Sequence, residues 1–231
     1  MKIWKDLRHP NILPFIGTVT LHLKEYLVSP WMENGNLHDY LKRNQHNSGL
    51  NFVALLLQVA RGLEYLHTFI PVIVHGDIKS LNIFISSNGD ARIGDFGLSR
   101  RVLDGGSAGF STTWRYAGNP RWQSPELIKA QTADEARRTK ESDMFAFGRV
   151  IIEVYTMDYP FAYMPDGTSV TAYMLRGNLL PIRPQDPEVL ARGLDNKMWG
   201  IVKDCCRKLP ARRVTVQVAI RRLEAILSKR G

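Results

Sequence analysis

The run His75-Gly76-Asp77-Ile78-Lys79-Ser80-Leu81-Asn82 gathers a carboxylate, an ammonium and an amide into one short polar stretch. Apolar runs at 72–75 and 83–85 flank it, so it reads as a loop. An Asp in such a loop can accept a hydroxyl proton. An Asn five residues later can face the same cavity and offer its amide oxygen to a hard cation. The Lys between them can meet a phosphate. Eighteen residues beyond Asp77 stands Asp95-Phe96-Gly97, at the end of another strand-like run, 91–93. Gly97 permits backbone geometry that a side chain would forbid. The Asp95 carboxylate and the Asn82 amide together give oxygen ligands from two loops. That set suits Mg²⁺, which takes few protein ligands and keeps phosphate and water. Either motif alone carries little information; the pair at this spacing carries much more.

Three further features follow in order. Arg121-Trp122-Gln123-Ser124-Pro125-Glu126 is separated from Asp95 by a polar stretch, Ser142-Asp143 opens an apolar run, and residues 205–215 carry Pro210 and Arg213. Each alone has an ordinary structural explanation: a turn, a helix cap, a loop arginine. All five in this order do not arise readily by chance.

The elements that must position these groups are a few strands, then a helical body: an α+β arrangement that is mostly α. Residues 2–7 look like the end of a helix stopped by His9-Pro10-Asn11, since Pro10 disfavours helical geometry at His9. Residues 12–19 and 25–29 carry strand-like residues and suit a hairpin. Glu33-Asn34-Gly35-Asn36 is a turn, followed by a short helix over 37–43. The spacing of Val53, Leu56, Leu57, Ala60 and Leu63 predicts a helix over 52–67 with one apolar face. Residues 104–113, rich in Gly, Ser and Thr without a period, read as a loop. Residues 144–156 are apolar throughout and predict a buried helix capped by Ser142 or Asp143. Further helices are expected over 170–175, 196–206 and 215–227, with Pro181, Pro184 and Pro187 marking a loop between two of them.

Composition narrows the function classes. The chain has 231 residues, 44% hydrophobic and 23% charged, which excludes a disordered or fibrous chain. No apolar run approaches the ~20 residues of a membrane span, and the N-terminus lacks a signal-peptide core. The two cysteines, Cys205 and Cys206, are adjacent, which argues against a disulfide framework. A cytoplasmic location is expected. The net charge is +9, and most of it falls in 203–231, where nine Lys and Arg face only Asp204 and Glu224. No aromatic residues interleave with that run, so a solvated helix face fits it better than a nucleic-acid surface.

On these residues the chain resembles the eukaryotic protein kinase family. HGDIKSLN matches the catalytic loop, DFG is intact, and SPE stands where APE is expected. The phrases HPNILPFIG, LVSPWMENGNL, NPRWQSPEL and SDMFAFGRVIIEVYT resemble the tyrosine-kinase-like group of Ser/Thr kinases found in fungi. The resemblance implies ATP and Mg²⁺ as cofactors and a protein substrate. It implies Asp77 as catalytic base, Lys79 as the cation that neutralises the γ-phosphate, and Asn82 and Asp95 as holders of Mg²⁺. Lys79, two residues after Asp77, resembles the Ser/Thr type. Ser29 falls at the gatekeeper position with Pro30, Trp31 and Met32 as hinge; the Pro30 carbonyl and the Met32 amide would pair with adenine. Asn36 matches a ribose contact and Phe84 the apolar floor under adenine. His75 and Phe96 match a hydrophobic stack, Glu126 and Arg213 a buried ion pair, and Asp143 a support of the catalytic-loop backbone.

Departures are informative. Gly76 replaces the arginine of the family's catalytic loop, so a phosphate on Ser107, Ser111, Thr112, Thr113 or Tyr116 is expected to lack its usual partner. Asn119 stands for a threonine and Ser124 for an alanine. The family's glycine-rich loop, strand lysine and helix glutamate fall ahead of residue 1, and Gly105-Gly106-Ser107-Ala108-Gly109 does not replace that loop. The expected domain is therefore a truncated kinase domain over 1–231, with 1–30 as N-lobe remnant and start of the hinge and 31–231 as C-lobe. Trp4 and a sheet edge made by 12–19 and 25–29 are expected to be exposed and open to a protein partner or self-association. Three outcomes stay open: a Ser/Thr kinase, a catalytically dead kinase-like binding module, or a truncated gene model of a full-length kinase.

Overall fold

The computed structural model describes residues 3–47, 49–102 and 118–229. Among them the helices are α1 (Leu37–Arg43), α2 (Phe52–Thr68), α3 (Pro125–Lys129), α4 (Lys140–Thr156), α5 (Gly167–Leu175), α6 (Pro187–Ala191), α7 (Asn196–Cys205) and α8 (Val216–Leu227). The strands are β1 (Gly17–Leu21), β2 (Lys24–Val28), β3 (Ile73–Val74), β4 (Ile83–Ile85), β5 (Ala91–Ile93) and β6 (Arg100–Arg101). They form antiparallel pairs β1–β2, β3–β6 and β4–β5. The helix-rich α+β architecture expected from the sequence is the one found.

Helix α4 runs through the core. Every residue from Ser142 to Tyr155 is buried, as an apolar helix without a polar stripe requires. Helix α7 lies against it at Gly148, where an added Cβ would stand 2.7 Å from Cys206 Sγ and 2.8 Å from Cys205 Cβ. Both cysteines are free and buried, and burial pushes their thiols up. Helix α2 carries the predicted apolar face and packs along α8. The Arg213 guanidinium grips Glu126 with two bonds, 2.7 and 2.6 Å, and the Glu141 carbonyl at 2.9 Å. One side chain thus ties the segment before α8 to α3 and to the start of α4.

Several expectations need correction. The first segment is a single 3-10 turn, Trp4–Asp6. Trp4 is buried rather than exposed: its ring packs on Phe15 and Phe96, and its Nε1 donates to the Leu13 carbonyl at 2.6 Å. Ladder pairing starts only at Gly17, because Ile12 and Leu13 turn inward to meet β5. The cap of α4 is Thr139, in a capping box with Ser142, so this helix begins earlier than expected. Helix α5 begins at Gly167 on the Asp166 cap. The short helices α3 and α6, each opened by a proline, were not expected. Residues 104–113 and the hydroxyl groups of Ser107, Ser111, Thr112, Thr113 and Tyr116 lie outside the described residues. No described helix is long and apolar enough to cross a membrane.

The β1–β2 hairpin is exposed as expected, with Val19, Leu21, Tyr26 and Leu27 open to solvent.

One charge on α4 is poorly compensated. Arg149 is fully buried, stacked over Phe145 and Phe161 at 5.0 and 4.5 Å, and Nη2 donates to the Leu179 carbonyl. Its Nε and Nη1 have no hydrogen-bond partner among the described residues, and burial pulls its pKa down to about 10. Arg149→Met keeps the volume and removes the unpaired donors. It is expected to raise the urea-unfolding free energy by about 1–3 kcal/mol; a loss of stability would show that the aromatic stacking outweighs the desolvation cost.

Candidate active site

The 75–82 loop is fixed from below by one carboxylate. Asp143, in the first turn of α4, is 1% exposed. Its Oδ2 accepts from the His75 amide at 2.8 Å and lies 3.0 Å from His67 Nε2, while Oδ1 accepts from the Gly76 amide at 2.8 Å. Two backbone donors that would otherwise be orphaned in the core are thereby satisfied. The His75 ring reaches the Gly94 carbonyl at 2.9 Å and meets Phe96 edge-on, and Phe96 stacks on Trp4. The stack expected from the sequence is present and extends to Trp4.

The loop then presents three groups to one another. Lys79 Nζ lies 2.6 Å from Asp77 Oδ2, and Asn82 Nδ2 donates to the same oxygen at 2.9 Å and to the Asp77 carbonyl at 2.8 Å. Oδ1 of Asp77 faces Gly118, whose built Cβ would be 3.8 Å from it. Because both Nδ2 bonds of Asn82 go to Asp77, its amide oxygen is the atom left to meet a cation. The β4–β5 register places Ile83 opposite Ile93, and the Gly94 amide donates to the Asn82 carbonyl at 2.8 Å. Asp95 follows directly. It sits in the left-handed region at φ 56°, which Asp tolerates better than bulkier residues. Its exposed carboxylate accepts from the Gly97 amide at 3.3 Å. Residues from the ends of two paired strands thus supply one amide oxygen and one carboxylate. That hard, sparse donor set fits Mg²⁺, which completes its shell with phosphate and water.

The turn that follows residues 29–32 is stitched to β4. The Ile85 amide donates to the Gly35 carbonyl at 2.8 Å, and Asn36 pairs with Phe84 in an isolated bridge. Met32 is buried, Trp31 exposed, and Ser29 Oγ donates to the neighbouring Pro30 carbonyl at 3.3 Å. The carboxamide of Asn36 is committed to the α1 cap: Oδ1 accepts from the Asp39 amide at 2.9 Å and Nδ2 donates to its carboxylate at 2.8 Å. Asn36 is therefore near the expected cleft, with its polar atoms turned to Asp39.

Two contributors escaped the sequence reading. Glu153, in mid-α4, accepts from Trp122 Nε1 at 2.6 Å, from the Ser80 amide at 3.2 Å and from Ser80 Oγ. It joins the 75–82 loop to the segment before α3. The other is Arg138. The sequence predicted no guanidinium beside Gly76, yet Arg138 reaches in ahead of α4 and donates Nε to the Gly76 carbonyl at 2.8 Å. No linear motif marks either residue; both act across long sequence separations. Asn119 uses its Oδ1 to accept from the Arg121 amide at 3.1 Å.

Comparisons with known proteins agree with this geometry. The family model described as protein kinase domain matches residues 1–223. The chain is similar to the probable serine/threonine-protein kinase drkA of Dictyostelium discoideum, 28% identical over 231 residues, covering 98% of this chain and 32% of the relative. It is similar to the probable serine/threonine-protein kinase SIS8 of Arabidopsis thaliana, 33% identical over 200 residues, covering 86% and 18%. It is also similar to the serine/threonine-protein kinase CTR1 of Arabidopsis thaliana, 29% identical over 214 residues, covering 91% and 24%. The chain spans about a third or less of the length of these relatives.

The Glu153 bridge has a pH signature. Burial raises its carboxyl from 4.5 to about 7 against the pull of the Ser80 and Trp122 bonds. Between those values the folded state holds a proton that the unfolded chain has released. The stability this group contributes is full below about 4.5 and is lost as pH rises through about 7. Glu153→Gln keeps acceptor and donor positions but cannot ionise. Urea unfolding across this range is expected to show a downward slope, on the order of 3 kcal/mol, that is missing in Glu153→Gln. Parallel curves for the two proteins would contradict the assignment.

Proposed function

The chain belongs to the protein kinase family, and from that premise we propose that it transfers the γ-phosphoryl group of ATP to a serine or threonine hydroxyl of a protein. The observation that carries the reading is the hydrogen-bonded cluster of Asp77, Lys79 and Asn82, with Asp95 two residues beyond the end of the partner strand. Asp77 orients the substrate hydroxyl and takes its proton through Oδ1, the oxygen not engaged by Lys79 and Asn82. Lys79, held at 2.6 Å from Asp77, places its ammonium where the transferred group gains negative charge. Asn82 and Asp95 supply the oxygens that hold Mg²⁺. When bound, Mg²⁺ neutralises phosphate charge during transfer. Ser29, Pro30, Met32 and Phe84 line the adenine side, with Asn36 beside them. The Ser/Thr preference is supported by Lys79 and by the names of the relatives, and membership of the tyrosine-kinase-like group by the sequence phrases that resemble it.

A second reading, a kinase-like module that binds a partner through the β1–β2 hairpin, is favoured by one observation. Leu21, Leu23, Tyr26 and Leu27 are exposed on a two-stranded ribbon, and such surfaces invite another chain.

Two measurements separate them. With Mg²⁺ and ATP the protein is expected to label a generic Ser/Thr substrate. Asp77→Asn should lower the rate by at least about 10²-fold without lowering Tm. Asp95→Asn should abolish the Mg²⁺-dependent part of ATP binding measured by calorimetry. Labelling equal to that of Asp77→Asn, together with concentration-dependent self-association, would favour the binding module.

A further inference from the structure

The backbone at Gly76 has φ +82°. A Cβ built there would stand 2.4 Å from Arg138 Cδ and 2.9 Å from the Leu98 carbonyl oxygen. The space over residue 76 is therefore filled, and what fills it is the stem of Arg138. That side chain comes from a segment sixty-two residues away in sequence and ends on the Gly76 carbonyl at 2.8 Å. The other end of the guanidinium faces the same small volume as Asp77: a Cβ built on Gly118 would be 3.5 Å from Arg138 Nη2 and 3.8 Å from Asp77 Oδ1. Burial lowers the guanidinium pKa, and the carboxylates of Asp77 and Asp143 oppose that shift.

We propose that Arg138 is a positioning residue for Asp77: entering from the segment ahead of α4, the stem of its side chain occupies the place of a side chain at residue 76, and the absence of that side chain is what admits it. The two peptide groups that flank Gly76 are then each held by one bond. Asp143 accepts from the Gly76 amide from below and Arg138 donates to the Gly76 carbonyl from the side. The backbone that enters Asp77 cannot rotate without breaking one of these bonds. A guanidinium suits the position because its fork bonds the carbonyl through Nε while Nη2 stays beside the carboxylate, a division a lysine cannot make.

The inference rests on the kinase reading for its catalytic consequence, but its geometry is testable without activity. The first arm is a double-mutant cycle on thermal unfolding of the whole chain. Gly76→Ala is expected to lower Tm more in the Arg138 protein than in Arg138→Ala, because backbone strain at φ +82° is common to both backgrounds and only the collision with Arg138 differs. A Gly76→Ala protein that fails to fold unless Arg138→Ala accompanies it is the same result in stronger form. Additive shifts would overturn the proposal. The second arm is kinetic. Arg138→Met is expected to lower kcat on the order of 10²-fold with KM for ATP unchanged. In Arg138→Ala, guanidinium chloride below denaturing concentration is expected to restore rate that sodium chloride does not. A kcat equal to that of the unsubstituted protein, or a loss that guanidinium does not relieve, would overturn it. If the unsubstituted protein shows no transfer, the kinase reading fails and the stability cycle alone decides the positioning claim.

Discussion

A single buried carboxylate holds the site together. Asp143 sits at the start of a helix that is buried for almost its whole length, and its two oxygens receive the His75 amide, the Gly76 amide and the His67 ring. Charge-assisted bonds of this kind are the strong ones, and removing one partner from such a buried set typically costs ~3–5 kcal/mol. Everything at the site stands downstream of it. The peptide that Asp143 fixes leads directly into Asp77, Asp77 gathers Lys79 and Asn82, and Asn82 opens the strand whose ladder places Asp95. Helix α4 can serve as the foundation because its own position is over-determined, by α7 pressed against Gly148 and by Arg213 clamping its first turn.

Asp143, Glu153 and Arg149, all buried along α4, show how differently the core treats charge. Asp143 is satisfied by donors from two elements. Glu153 has donors from Ser80 and Trp122, yet burial holds its carboxyl near neutrality, so it links two functional segments while remaining close to protonation. Arg149 has aromatic rings and one carbonyl, with two donors unused. The first two connect the helix to the chemistry. The third faces the α5 side, over Phe161 and against the Leu179 carbonyl.

Local signals in the sequence were legible where physics is local. The 3.6-residue recurrence of α2, the predominant apolarity of α4 and the polar loop between two apolar runs each specify their structure within a few residues. The strands β4 and β5 emerged at the expected positions, and with them the adjacency of Asn82 and Asp95. Groups that act across the chain were not legible. Trp4 is buried because Phe15 and the Leu13 carbonyl from one segment and Phe96 from another converge on it. Thr139 caps α4 three residues ahead of the expected position because Ser142 returns its bond, a reciprocity that the apolar pattern does not register. The absence of a side chain at Gly76 was readable as a missing guanidinium; that Arg138 fills the place became visible only in three dimensions.

Native-state hydrogen exchange at the His75 and Gly76 amides addresses the central dependence most directly. If Asp143 anchors the loop, both amides exchange only through global unfolding, and their opening free energies equal the stability measured by denaturant. Exchange of these two amides through low-energy local opening, while α4 stays protected, would contradict the account, because the loop would then be free of the helix on which the site is built.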